Sequence, residues 1–128
     1  MFDSIVAAYL FSFLMGIVMA FQLALAIGMP WGEMAMGGKY PGRFPLKMRL
    51  AALVQIPLLL SFTLIVLTRA SLALVDYFEF SKYAIWLVIA FSFIGAILNT
   101  ITPSRKERML WSPISIVLLI CSFVVGGS

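Results

Sequence analysis

Four uncharged, apolar runs divide this chain, and each is close to the length needed to cross a bilayer. The first, Ile5–Ile27, is about 23 residues long, more than the roughly 20 that a helix rising 1.5 Å per residue needs to cross the hydrocarbon core. The others are Leu50–Thr68, Tyr83–Ile101 and Leu110–Val125. Lipid offers backbone groups no partners, and a helix bonds all of its own. The expected fold is therefore all-α: an integral membrane bundle of four transmembrane helices, a single domain over residues 1–128. A content of 63% hydrophobic and 11% charged residues agrees with that reading and lies outside the soluble range.

The connections carry the charge. Lys39, Arg43, Lys47, Arg49, Arg105, Lys106 and Arg108 fall in the first and third connections, against Arg69 and Lys82 in the second. The positive-inside rule puts the richer side in the cytoplasm and both termini outside. The net charge of +4 sits at membrane surfaces rather than on a solvated face, so the expected partner is the phospholipid bilayer and not nucleic acid. With no histidine and Cys121 as the single cysteine, an intramolecular disulfide, a zinc site and a Ser–His pair are excluded. A cleaved signal peptide competes for the first run, since Ala24-Leu25-Ala26 resembles a cleavage site. The run is too long for one, Phe2, Asp3 and Ser4 before it are not basic, and further spans follow.

Small residues recur every fourth position in the first helix: Ala8, Ser12, Gly16, Ala20, Ala24 and Gly28. In lipid such residues let two backbones approach and gain dispersion contacts. The ladder drifts by about 40° per step and suits a partner crossing at an angle. A seam inside the bundle is the expected use, and a homodimer seam the alternative. In the third helix Ser92, Gly95, Ala96 and Asn99 share one face, expected to pack inward. Gln22, Gln55 and Asn99 lie at comparable depth from the basic end, which allows an amide pair or glutamines bonded to neighbouring backbone.

Gly28 and Pro30 end the first helix. The stretch Gly32–Gly38 is too apolar for an ordinary loop and too short to span. It reads as a shallow re-entrant segment or as a headgroup-level turn. Pro57 interrupts the second helix. Ser104 and Glu107 have capping-box spacing, so the fourth helix should begin near Arg105. Trp31, Trp86 and Trp111 are expected at the interfaces, and Cys121 is expected to be a small packing residue.

The polar equipment collects at the basic end: Gln22, Glu33, Gln55, Asn99 and Glu107, with Arg49, Arg105 and Arg108. Glu33 is expected to fold back onto Arg49, Arg105 or Arg108, because a buried carboxylate needs a partner. The alternative leaves Glu33 solvated and the arginines on phospholipid head groups. No catalytic, cofactor-binding or metal-ligating set can be read.

The wording G-M-P-W-G-E-x-A-M-G-G-K-Y-P-G-x-x-P at 28–45, with N-T-I-T-P-S-R-x-E-R-x-x-W-x-P at 99–113, resembles a family of small bacterial four-span hypothetical inner-membrane proteins. The likeness covers nearly the whole chain. It implies a bacterial inner-membrane location and four helices, and no activity.

From the residues, an accessory or structural membrane protein, a homo-oligomer or part of a larger membrane complex, needs only the seams and orientation charges. A small-molecule or ion transporter or channel with its polar site at the cytoplasmic end is the alternative. Coupled transporters place ionisable groups near the midplane, and the first helix lacks the carboxylate expected of a four-helix multidrug exporter. The glycine motif of small fluoride channels is also missing. An enzyme comes third, since Glu33 and Glu107 pair only if the two basic connections meet.

Overall fold

The computed structural model describes residues 3–127; Met1, Phe2 and Ser128 lie outside the described residues. Four helices follow one another: α1 (Ser4–Ala26), α2 (Leu46–Arg69), α3 (Phe78–Ile101) and α4 (Arg105–Gly126). All are long and apolar enough to cross a membrane, and no strand occurs among the described residues. α2, α3 and α4 each begin about a turn or more before the apolar runs. Their first turns hold Lys47 and Arg49, Glu79 and Lys82, and Arg105 to Arg108, side chains long enough to reach water from an interfacial helix end.

Local chemistry fixes the helix ends. Asp3 caps α1 by accepting from the Val6 N–H at 3.0 Å, which pairs one of the orphan donors of a first turn. At the other end Gly28, with φ +98°, turns the chain. The Met29 N–H then reaches the Ala24 carbonyl and the Gly28 N–H the Leu25 carbonyl, the two bonds of a glycine-terminated helix. Arg49 adds its Nε–H to the Ala26 carbonyl at 2.9 Å, a cation where the helix dipole is negative. α4 starts as the spacing requires, with Ser104 Oγ accepting from the Glu107 N–H at 3.2 Å.

α1 packs along both α2 and α4, and α3 along α4, while the seam between α2 and α3 is the lightest of the four. The half of the bundle away from the basic connections is filled by Phe11, Met15, Phe62, Val66, Ile85, Val88, Cys121 and Val125, and Cys121 is a packing residue there. A smaller cluster at the basic end joins Phe21, Leu25, Ala52 and Trp111 to Phe44 from the first connection.

The face α1 buries is made by Ala7, Ala8, Phe11, Met15, Phe21 and Leu25, and it overturns the expected small-residue seam. Only Ala8 of the ladder is buried, Ser12 and Ala24 are half-buried, and Gly16 and Ala20 are exposed. A Cβ on Gly16 would meet nothing within 4 Å. The reason lies in the drift of about 40° per step: Ala8 stands at the edge of the packed face, and two steps on the ladder has left it.

Candidate site: a polar cavity at the basic end

The first connection folds back over the end of the bundle as two short 3-10 turns, Gly32–Met34 and Met36–Gly38. Gly32 is the tight point, since its N–H donates to the Gly42 carbonyl at 2.9 Å and any Cβ there would overlap the Tyr40 carbonyl oxygen. The connection is bonded to the start of α4 at each turn. Ser104 Oγ donates to the Glu33 carbonyl at 2.5 Å, Trp111 Nε1 to the Met34 carbonyl at 2.9 Å, and Gly37 N–H to Glu107 Oε2 at 3.3 Å. The segment is therefore a cap, level with the first two turns of α4.

Trp111 is buried in the protein. Its ring meets Phe21 edge-on at 4.7 Å, and Phe21 stacks on Trp31 at 6.4 Å, so two of the three tryptophans brace the cap. Trp86 is exposed.

Glu33 does fold onto the start of α4, but its partner is Lys106, at 2.7 Å, and none of the three arginines. Those are placed otherwise: Arg49 caps α1, Arg108 Nη1 donates to the Thr102 carbonyl at 2.9 Å, and Arg105 is exposed. The pair is accessible, with side chains 47% and 67% exposed, so it contributes about 1 kcal/mol or less.

Beneath the cap, lined by residues of all four helices, lies a cavity of about 640 Å³, within the range that holds a drug-sized ligand. Its wall is mostly apolar, running from Phe11 and Met15 near mid-helix to Leu25 and Met34 at the basic end. Gln22, Gln55 and Asn99 line it together, with Ser92, Ser115 and Glu107. The expected convergence of the three amides occurs, but among the described residues neither the expected amide pair nor bonds from the glutamines to neighbouring backbone are present. Gly95 opens onto the cavity, with nothing within 4 Å of a Cβ, while its neighbours Ser92 and Ala96 are buried.

Most span serines and threonines settle their hydrogen bonds inside their own helix, among them Thr63 to Leu59, Thr68 to Leu64, Thr100 to Ala96 and Ser115 to Trp111, while Thr100 and Ser112 also meet across α3 and α4 at 2.9 Å. That is the usual solution where no water is available. The cavity groups differ. Among the described residues, no protein group pairs with the side chains of Gln22, Gln55, Asn99 or Ser92.

The chain matches no protein-family model, no curated protein and no solved structure.

Sequence spacing brought the amides together, but Trp111 and Ser115 were not read as cavity residues. Glu107, Trp111 and Ser115 stand at i, i+4 and i+8, one face of α4, and that spacing is the signal that identifies them. Lys106 and Gly37 carry no local signal, since each meets its partner only after about 70 intervening residues.

Proposed function

We propose that this chain is a membrane-embedded binding protein of the carrier kind, which takes a small amphiphilic molecule into the cavity beneath the cap. The observation behind this reading is the set of unpartnered amides in one apolar cavity, in a bundle whose span serines and threonines, Ser92 apart, have hydrogen-bond partners. Gln22 and Asn99 are half-buried and Gln55 is exposed; where such an amide meets hydrocarbon instead of water, the missing partner costs roughly 1–3 kcal/mol on protein scales. A ligand with a hydrogen-bonding head and an apolar body supplies the missing partners and fills the volume. The packed far half argues against a continuous pore, so the site has one mouth. With the basic end taken as cytoplasmic, the head group lies toward the cytoplasm, the termini lie outside, and a bacterial inner membrane is the proposed location.

The test is native mass spectrometry of the protein released from its own membrane, beside the triple variant Gln22→Leu, Gln55→Leu, Asn99→Leu. The reading expects a small-molecule adduct on the parent that the variant loses. An adduct-free parent that no added amphiphile stabilises would sink it.

The outward ladder favours a second reading, an accessory subunit that packs Gly16 and Ala20 against another helix. Disulfide trapping through Gly16→Cys decides it. A cross-linked dimer or a trapped partner supports that reading, and an uncross-linked monomer in native membranes rejects it.

A further inference from the structure

We propose that the molecule bound in this cavity carries a protonated amine, and that Glu107 is its counter-charge; the inference rests on the binding role proposed above. Glu107 is only 6% exposed, yet its side chain lines the cavity. In a complete capping box its carboxylate would turn back to the Ser104 N–H. Here Thr102 Oγ1 takes that N–H, at 3.3 Å. The carboxylate is released across the cavity end, where its one protein partner among the described residues is the Gly37 N–H, at a long 3.3 Å.

Among the described residues no cation pairs with it. Lys106 is paired with Glu33, Arg108 with the Thr102 carbonyl and Arg49 with the Ala26 carbonyl, and Arg105 faces outward. A buried carboxylate in a helix first turn gains from the dipole, but one weak amide bond leaves most of its acceptor capacity open. An ammonium head supplies three donors and the opposite charge. With Glu107, Gln55 and Asn99 lining the same cavity, and an amide oxygen able to accept from an ammonium, the site selects an amine over a neutral head of the same length. A phosphate or carboxylate head would meet the Glu107 charge.

The experiment uses the full chain in phosphatidylcholine nanodiscs, with Trp31→Phe and Trp86→Phe leaving Trp111 at the cavity wall as the fluorophore. Two probes are titrated: a bromododecylamine and its neutral N-acetyl derivative. Saturable quenching with the amine tighter by about tenfold or more is the expected result. Glu107→Gln should remove that preference and Glu107→Asp keep it. Equal binding of the two probes, or a preference that survives Glu107→Gln, overturns the role of Glu107 while the saturable quenching keeps the cavity reading. No saturable quenching by either probe overturns both. Adding phosphatidylethanolamine to the nanodiscs separates the sources: competition with the bromo-amine makes the amine a lipid head group, and no competition makes it a single-chain amine.

Discussion

Gly37 donates its backbone N–H to the Glu107 carboxylate at 3.3 Å, joining residues 70 apart in sequence. The bond ties the cap to the first turn of α4 and holds the one carboxylate of the cavity at its rim. Glu33, also in the cap, turns to the surface and Lys106 instead. The two acids of the basic end thus serve different faces.

Ser104 should matter more than Lys106. Ser104→Ala removes the α4 cap and the donor to the Glu33 carbonyl, costing about 1–2 kcal/mol, whereas Lys106→Ala removes an accessible ion pair worth about 0.2–1 kcal/mol. Thermal unfolding of both variants in one detergent checks the ranking, and the reverse order would show that the cap is held electrostatically.

Trp111→Phe keeps an aromatic edge against Phe21 but leaves the Met34 carbonyl without its donor. A loss of about 1–3 kcal/mol is expected. The same melts report it, and an unchanged midpoint would mean that Met34 is satisfied by solvent.

Two glycine variants should separate sharply. Gly32→Ala drives a Cβ into the Tyr40 and Gly42 carbonyl oxygens, an overpacking cost near 3 kcal/mol, whereas Gly16→Ala enters open space in mid-helix and should be neutral or stabilising by up to about 1 kcal/mol. Folded yield and melting temperature measure both. Similar behaviour would contradict the folded-back connection.

For Gln55→Leu the empty protein and the bound one should move in opposite directions. Removing an unpartnered amide leaves the melting temperature of the ligand-free protein unchanged or higher, while retention of the small-molecule adduct falls. Parallel losses in both would make Gln55 a structural residue.

Cys121 is fully buried in the far half, so a membrane-permeant maleimide should leave it unmodified in the folded protein and label it after denaturation. Labelling in intact membranes would show that this half is open.

The helices were legible because each apolar run must bond its own backbone in lipid, and that requirement is local. The amide cluster was legible because depth follows from counting residues inward from the charges. The ladder misled because spacing identifies which residues share a stripe but not what that stripe faces; α1 turned its Phe11 and Met15 side inward, where larger groups fill the gap between three helices. Lys106 displaced the expected arginines for a similar reason. Neighbours on one helix turn differ in direction by about 100°, and only the fold decides which points at the cap.

The light seam between α2 and α3 also has a mechanical meaning. These two helices are joined at the opposite end of the molecule, by a turn in which Ser71 and Leu74 hold positive φ. They form a pair of tongs. With 24 residues in each arm and thus a length of about 36 Å, a swing of about 5° at the joint parts the tips by roughly 3 Å. The polar part of the cavity, with Gln55 and Asn99, lies toward the tips, where the least bending gives the most travel, while the packed half near the joint hardly moves.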